Sequence, residues 1–285
     1  MIHSTPFEDS DFVTLFAKLR RPVVSKVASK IIELASIRNG ESLLDLGCGP
    51  GLVAKSIIRR RTLRYALLID RSQEMVETAR RNIAGSKSIC EAKQVDLDND
   101  DLKQVIGSNL KFDHIIAIDL WHLLANRRRV AKFLQESLFP SGKLTLALHK
   151  EISSKALGTW HAVRSEIREK IANKLGSKYP DFQFPERSRG AIAHRDEISL
   201  YLSELSKLGF NLKKSVEDSN LADINQMSRH LPESFRIEVK REFPRIPDLL
   251  LKRVVGVSVK EVLNKYQGFE DSRVATEVFS VFERA

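Results

Sequence analysis

The chain is poor in cysteine and has no long apolar run, and both absences exclude classes of protein. Its 285 residues include two cysteines, Cys48 and Cys90, which are too few for a disulfide framework or, by themselves, a zinc site. No run of about eighteen apolar residues, the length that a membrane span needs, occurs. The first residues are acidic where a signal peptide would be basic, and no apolar segment follows them. We therefore expect a cytoplasmic protein without membrane partners.

Acidic residues are fewer than basic ones, 37 against 47, which gives a formal net charge of +10. The basic residues cluster at Arg59–Arg61, Arg80–Arg81, Arg127–Arg129 and Lys213–Lys214. Such charge could attract nucleic acid or an acidic small molecule. Base-stacking aromatic residues are not interleaved with the clusters, which disfavours nucleic acid without excluding it.

The most informative stretch, residues 42–51, reads Ser-Leu-Leu-Asp-Leu-Gly-Cys-Gly-Pro-Gly. Its leucines predict a buried parallel strand, and its alternating glycines follow where the backbone must turn and approach a ligand closely. A helix-forming segment starts at Leu52, so its free N–H groups and positive dipole end face the turn. A dinucleotide fingerprint would place its third glycine at position 52, and the leucine there weakens an NAD interpretation.

Further segments alternate between strand and helix patterns along the chain. Strands are predicted at 65–70, 92–97, 112–119, 143–148, 210–216 and 276–283, and two helices, at 12–19 and from Pro22 to about Ser36, precede the first strand. This rhythm predicts an α/β fold with a doubly wound, mostly parallel sheet of seven strands. Ligands of such sheets bind beyond the carboxyl ends of the strands, and four acids fall near those ends: Asp45, Asp70, Asp96 and Asp119.

The order of these elements predicts a core with two insertions. The core comprises residues 41–150, a helix and strand over 195–218, and a last strand over 273–285. Helical patterns fill 151–194 and 219–272, which are too long for structureless loops, so we expect both inserts to fold as a lid. Residues 1–40 are expected to form N-terminal helices that cover the site.

The glycine stretch resembles motif I of the class I S-adenosylmethionine-dependent methyltransferases, and the resemblance covers residues 41–150 and 195–216. It implies a Rossmann-like fold and S-adenosylmethionine as cofactor, with the glycine loop around its methionine half. In that family the acid after the second strand binds both ribose hydroxyls, which corresponds to Asp70. An acid after the third strand binds the adenine amino group, which corresponds to Asp96 with the Leu97 backbone beside it. The predicted cofactor residues are Asp45, Gly47, Cys48, Gly49, Gly51, Leu52, Asp70, Arg71, Asp96, Leu97 and Asp119.

The segment after the fourth strand, residues 119–124, is the candidate for contact with the methyl acceptor. Small-molecule members of the family often carry a histidine there, and His122 could act as a general base or orient an acidic group. A purely packed histidine is an equal alternative. His149 and Trp160 could line the pocket, although Trp160 shares a helical apolar stripe that favours packing. Three arginines could pair with a substrate carboxylate: Arg187, Arg189 and Arg195.

Motifs that the sequence lacks narrow the reaction. There is no Pro-Pro-aromatic motif after the fourth strand, as amide and base nitrogen methylation would use, and neither cysteine fits a carbon-5 nucleophile. Leu148-His149-Lys150 stands near the place of the Asp-Asn pair of metal-dependent members, so we expect no metal. The main hypothesis is methyl transfer to oxygen or nitrogen of a small organic molecule, which could be an acid, in a biosynthetic reaction. We expect a monomer or a homodimer. Alternatives are an RNA methyltransferase, an enzyme that cleaves the cofactor itself with release of methylthioadenosine, and a non-catalytic cofactor-binding protein.

Overall fold

The computed structural model describes the backbone of residues 8, 10–151, 154–184, 198–223, 231–266 and 273–285. It describes the side chains of residues 8, 10–18, 23–148, 162–184, 198–218, 231–240, 243–266 and 277–285. Contacts divide the chain into two compact units. The first comprises Met1–Lys150, Ala193–Asp218 and Glu277–Ala285, and the second comprises Glu151–Ile192 and Ser219–Thr276.

Helices and strands alternate through most of the chain. In order, the elements are α1 (Ser10–Ala35), β1 (Ser42–Leu46), α2 (Leu52–Ile58), β2 (Tyr65–Asp70), α3 (Gln73–Ile83), β3 (Ile89–Gln94), α4 (Leu102–Ile106), β4 (Phe112–Ile118), a 3₁₀ turn (Trp121–Leu123), α5 (Arg127–Ser137), β5 (Leu138–Glu151), α6 (Ser154–Gly176), α7 (Ile198–Lys207), β6 (Phe210–Asp223), α8 (Leu231–Glu242), α9 (Asp248–Lys265) and β7 (Arg273–Arg284).

The strands form one seven-stranded sheet in the order β3-β2-β1-β4-β5-β7-β6. The pairs β1–β2, β1–β4, β2–β3 and β4–β5 are parallel. Leu46, the last residue of β1, pairs with Ile69 of β2 and Ala117 of β4, so these three strands end at one edge of the sheet. Strand order reverses between β1 and β4, which is where doubly wound sheets bind ligands. The sheet confirms the predicted fold class.

The central strands are apolar on both faces because both faces are covered. All five residues of β1 are buried, and β2 buries its four middle residues. Helices pack against the sheet through side chains such as Val76 of α3, Leu134 of α5 and Leu205 of α7, which are fully buried. Continuous burial of this kind is typical of parallel sheets between helical layers. It makes the central strands a rigid base for the loops at their ends.

Two local predictions are wrong. The sequence predicts two helices before β1, but α1 runs unbroken from Ser10 to Ala35 through Pro22. Buried residues such as Val13 and Ile31 lie on both sides of the proline, and packing of one continuous apolar face overrides a local stop signal. The sequence Phe-Pro-Ser-Gly at 139–142 predicts a turn before the fifth strand, but it lies inside β5, where the pairing with β4 shifts register between Phe112 and His114. A Cβ at Gly142 would lie 2.9 Å from the Phe112 carbonyl oxygen, so close approach of backbones, not a turn, requires this glycine.

The second unit has an apolar core of its own. Helix α6 contributes Val163, Ile167 and Ile171, and α8 and α9 contribute residues such as Phe235 and Val259, all of them buried. Both segments that the sequence treats as helical inserts therefore contain folded helices. Their predicted role as a lid stays a prediction. In the part of the chain that is described, no helix is long and apolar enough to cross a membrane.

Candidate functional site

The glycine turn between β1 and α2 uses backbone conformations that favour glycine. Gly47, Gly49 and Gly51 have φ of 60°, 53° and 69°, in the left-handed region that residues with a Cβ rarely adopt. The Cys48 N–H donates to the Ile69 carbonyl at 2.9 Å, which fixes the turn to the end of β2. Residues of the sequence motif thus form a compact turn at the carboxyl edge of the sheet.

The three glycines differ in what surrounds them. A Cβ at Gly47 would lie 2.8 Å from Leu120, and one at Gly51 would lie 2.9 Å from both Leu68 and Ala79. At Gly49 the nearest atoms would be Phe16 Cε1 and Met75 Sδ, at the ordinary contact distances of 3.8 and 3.9 Å. The turn is therefore tightly packed at both ends and less crowded in the middle. A backbone that is held in this way, with room beside Gly49, fits a ligand that lies along the turn.

Asp70, at the end of β2, is bound to the glycine turn. Its Oδ2 accepts the Gly49 N–H at 2.8 Å, and its Oδ1 accepts the Ser72 N–H at 3.0 Å. Burial raises the pKa of Asp70 above its ordinary value, against the opposing effects of these two hydrogen bonds and of the Arg71 charge. Each carboxylate oxygen can accept a second hydrogen bond. The arrangement leaves acceptor capacity for a diol such as a ribose.

Asp45 is a second buried acid beside the first. Its side chain lies in β1 with 2% of the residue exposed. Burial, and secondarily the charge of Asp70, raise the pKa of Asp45 to about 8. Burial, and then the charges of Asp45 and Asp70, raise the pKa of the Cys48 thiol. A cation bound here would favour the ionised forms of both acids, so the electrostatics suit a positively charged ligand.

Asp96 follows β3 and organises the next loop at this edge. Its Oδ1 accepts the Asp98 N–H at 2.9 Å, its Oδ2 accepts the Asn99 side-chain amide at 2.9 Å, and its own N–H donates to Asp100 at 2.8 Å. Burial raises the pKa of Asp96, but the hydrogen bonds from Asn99 and Asp98 outweigh it and hold the pKa below its ordinary value. The carboxylate is ionised at neutral pH and can accept a further N–H. Its neighbour Leu97 is buried.

The segment after β4 packs against the glycine turn. Asp119 has a left-handed backbone with φ of 52°, and its N–H donates to the Ala147 carbonyl at 2.8 Å. Leu120 contacts the turn at Gly47, and Trp121 is fully buried in the 3₁₀ turn that follows. His122 is half-buried in the same turn. A non-glycine residue with positive φ is uncommon and is found where surrounding structure enforces it, often at functional sites.

The structure thus brings some of the predicted residues into direct association. Gly49 and Asp70 are hydrogen-bonded, Asp45 and Asp70 interact electrostatically, and Leu52 begins the helix that Gly51 precedes. Arg71 is exposed, and its carbonyl accepts a hydrogen bond from Gln94. The side chains of His149 and Trp160, and all of Arg187, Arg189 and Arg195, lie outside the described residues.

Sequence reasoning missed several residues around the site. The sequence predicts that the N-terminal helices cover the site, but it does not single out Phe16 as the residue that lies beside Gly49. Leu120 looks like one more apolar residue after a strand, yet it closes one end of the turn. Asp98 is hidden in the acidic run 96–101, where nothing local distinguishes it. Among the side chains that are described, no group of three or more His, Cys, Asp or Glu could hold a metal ion.

Comparison with known proteins defines the class. Residues 44–144 match a family model described as a methyltransferase domain. A candidate methyltransferase of Bacillus halodurans C-125 is 17% identical, with 90% of this chain and 97% of that chain covered and a TM-score of 0.53. An S-adenosylmethionine-dependent methyltransferase of Geobacter sulfurreducens, crystallised with S-adenosylhomocysteine, is 17% identical over 90% and 91% with a TM-score of 0.50. Coclaurine N-methyltransferase bound to N-methylheliamine and SAH is 15% identical over 90% and 72% with a TM-score of 0.52.

At these identities the solved structures show a shared fold, and the family match identifies the domain. Residues 44–144 form a methyltransferase domain, and the chain has the Rossmann-like fold of the class I S-adenosylmethionine-dependent methyltransferases. The matched domain spans β1 to the middle of β5, so it includes the glycine turn and the ends of β2 and β3. The second unit lies outside the match.

Proposed function

We propose that this enzyme transfers the methyl group of S-adenosylmethionine to an oxygen or nitrogen atom of a small organic molecule. The observation that carries this choice of acceptor is how the chain uses its basic clusters. Arg60 donates to Ser25 and Ser29 of α1, and Arg61 donates to the Ile37 carbonyl. These guanidinium groups tie helices and loops of the core together.

At least one residue of each other cluster has an intramolecular partner of this kind. Arg80 donates to the Ala92 carbonyl at 2.9 Å, Arg127 pairs with Glu204 at 2.7 Å, and Lys213 pairs with Glu283 at 3.2 Å. Nucleic-acid binding draws its affinity from cations that neutralise phosphates. Cations that already bind internal carbonyls and carboxylates contribute less to such a surface. The net charge of +10 therefore gives weaker support to an RNA substrate than the composition alone suggests.

A small acceptor also agrees with the architecture. The inserts form a compact unit with an apolar core of its own. Coclaurine N-methyltransferase, which shares the fold over 90% of this chain, was crystallised with the small molecule N-methylheliamine. An acidic acceptor is the finer form of this proposal, for which the sequence offers Arg187, Arg189 and Arg195.

We assign the cofactor residues by where each lies at the carboxyl edge of the sheet. The backbone turn of Gly47, Cys48, Gly49 and Gly51, with Leu52, would hold the methionine half, and Asp45 would favour its positive charge. Asp70 would accept the ribose hydroxyls, with Arg71 beside it. Asp96 and the Leu97 backbone would receive the adenine, and Asp119 would border the turn from β4. When bound, the cofactor supplies a methyl group made electrophilic by its sulfonium.

The remaining task of the protein is to hold the acceptor atom in line with the methyl group and to exclude water. His122, in the turn after β4, is the proposed base because a histidine can take a proton near neutral pH. A base is needed only for an acceptor that does not shed its proton unaided. Whether His122 acts as a base therefore depends on the acceptor, and this holds for an oxygen acceptor as well as for a nitrogen acceptor.

Cofactor binding is tested by calorimetry with S-adenosylhomocysteine. We expect measurable binding to the wild type and a loss of roughly tenfold or more in Asp70→Ala, since two ribose hydrogen bonds to a charged acceptor disappear. Asp113→Ala, at the opposite edge of the sheet, is the matched control. A folded wild-type protein that binds neither S-adenosylmethionine nor S-adenosylhomocysteine would refute the proposed site.

The acceptor class is tested with cell extract divided into a nuclease-treated low-mass fraction and a purified RNA fraction. Formation of S-adenosylhomocysteine with the low-mass fraction alone supports the proposal, and enrichment of activity in its anionic part supports an acidic acceptor. Activity with RNA alone would replace the proposal by RNA methylation. Formation of methylthioadenosine without any acceptor would show that the cofactor itself is the substrate. If S-adenosylhomocysteine stays at background with both fractions, the protein is a non-catalytic binding protein.

A further inference from the structure

Helix α5 begins with a charge pattern that helices disfavour. Arg127, Arg128 and Arg129 occupy its first turn, and that turn has no acidic residue. The N-terminus of a helix carries partial positive charge, so acids stabilise it and cations do not. Departures from a local rule are most often found at functional sites, where another part of the structure compensates.

The compensating acid is Asp98, from the loop between β3 and α4. Its Oδ1 accepts the Ala125 N–H at 3.0 Å and the Asn126 N–H at 2.9 Å, and its Oδ2 lies 3.2 Å from the Ala125 nitrogen. These N–H groups stand directly before the helix. The side chain of Asn126 caps the helix by accepting the Arg129 N–H. Asp98 therefore provides at the helix start the negative charge that the helix's own sequence lacks.

Arg129 makes the return connection from the helix to the loop. Its Nη1 donates to the Asp100 carbonyl at 2.9 Å, and its Nη2 donates to the Leu97 carbonyl at 2.5 Å. A planar guanidinium can hold two carbonyls in fixed relation, which a single ammonium does less well. We call Asp98 and Arg129, with the backbone groups that they bind, the loop clamp. The loop thus binds the start of the helix through Asp98, and the helix binds the loop through Arg129.

The clamp encloses the residue proposed to bind adenine. Asp96 accepts the Asp98 N–H, and its own N–H donates to Asp100, so two of its three loop partners are themselves held by the clamp. The loop also concentrates negative charge, with acids at 96, 98, 100 and 101. Like charges at such spacing repel one another, so hydrogen bonds from outside the loop help to hold its conformation.

We propose that Asp98 and Arg129 are positioning residues that fix Asp96 and Leu97 in the geometry that recognises the adenine amino group. The inference rests on the proposed cofactor site. It predicts that the clamp governs selectivity for the base rather than cofactor affinity alone. Ala125 directly follows the 119–124 segment, so the same clamp also fixes the end of the segment proposed to meet the acceptor.

The test compares two ligands on three proteins. The ligands are S-adenosylhomocysteine and its analogue with hypoxanthine in place of adenine, which has a 6-oxo group where adenine has 6-amino. The proteins are the wild type, Arg129→Met, and Arg128→Met as a control that removes the same charge from the same helical turn. We expect the wild type to prefer the adenine ligand, and Arg129→Met to weaken its binding roughly 10- to 100-fold while the hypoxanthine ligand changes less. Arg128→Met should keep both affinities.

Equal weakening for both ligands in Arg129→Met, with the preference unchanged, would overturn the inference, because a merely structural role predicts it. If Arg129→Met does not fold, Asp98→Asn gives the same comparison with a smaller change. Hydrogen exchange on the wild type adds a measurement without mutation. When S-adenosylhomocysteine binds, the exchange rates of the amides of residues 97–100 and 125–126 should fall together. A fall for residues 97–100 alone would contradict the clamp. A wild type that binds neither ligand would refute the proposed cofactor site, and the clamp's role with it.

Discussion

The two edges of the sheet treat acidic residues in opposite ways. At the amino edge, Asp113 accepts hydrogen bonds from the Ser42 N–H at 2.8 Å and the Ser42 hydroxyl at 2.7 Å, and it pairs with Arg64 at 3.2 Å. Glu41 lies 2.8 Å from His114, whose pKa burial lowers despite this partner, so the contact is a hydrogen bond to a neutral ring at neutral pH. Acids here have the partners that stabilise a fold.

At the carboxyl edge, where β1 and β4 end, acidic residues are buried or have an unfavourable backbone conformation. Asp45 is buried beside Asp70, and its pKa rises to about 8. Asp119 adopts a left-handed backbone in the same region of the sheet. Buried like charges and strained backbone destabilise a fold unless a ligand uses them. Acids at the amino edge thus stabilise the fold, whereas those at the carboxyl edge carry a cost that the cofactor, in the proposed site, would relieve.

The largest effect is expected from filling the glycine turn. Gly51→Ala places a Cβ 2.9 Å from Leu68 and Ala79 at a φ of 69°, so we expect loss of cofactor binding and roughly 2–4 kcal/mol of stability. Gly85→Ala is the matched control, because its φ is 73° but nothing lies within 4 Å. It should cost only about 1–2 kcal/mol and leave cofactor binding intact. Calorimetry and urea unfolding measure both, and equal losses in the two variants would show that packing at the turn is unimportant.

The second effect concerns Asp45 and pH. Its folded pKa of about 8 lies above the ordinary 3.8, so between these values the folded chain holds a proton that the unfolded chain releases. The free energy of unfolding therefore falls as pH rises through this range, by up to about 1.4 kcal/mol per pH unit. Asp45→Asn should remove this slope, make the chain more stable than wild type at pH 8, and weaken cofactor binding. Urea unfolding at pH 5, 6, 7 and 8 measures the slope, and identical slopes in both proteins would contradict the raised pKa.

Removal of an acid at the amino edge should lower the stability of the fold and leave cofactor binding unchanged, the reverse of what we expect for Asp45→Asn at pH 8. Asp113→Ala removes the acceptor for Ser42 and Arg64, and we expect a stability loss of about 1–3 kcal/mol with unchanged cofactor affinity. A loss of cofactor affinity comparable to that of Asp45→Asn would erase the functional distinction between the two edges. Thermal unfolding and calorimetry on the same preparations decide the matter.

These contrasts also show what the sequence could and could not predict. The alternation of strands and helices, the glycine turn and the acids near strand ends follow from local patterns, because each is encoded in a few consecutive residues. The unbroken α1 and the long β5 were missed because long-range packing and a register shift overrode Pro22 and the 139–142 turn pattern. Phe16, Leu120 and Asp98 were missed for a related reason. Their roles depend on contacts with residues that are far apart in sequence, here Gly49, Gly47 and Ala125.

The smallest expected effect is a proton exchanged when the cofactor binds. At pH 7 most Asp45 side chains are protonated, because their pKa is about 8. A bound cation lowers that pKa, so S-adenosylmethionine should displace up to about one proton from the wild type. Titration in buffers of different ionisation enthalpy measures the proton as a buffer-dependent heat. Asp45→Asn, measured at the same pH, cancels the titration of the ligand's own groups. Equal buffer dependence in both proteins would show that Asp45 is not the group that releases the proton. A larger buffer dependence in the wild type would show that the bound cation acts on Asp45.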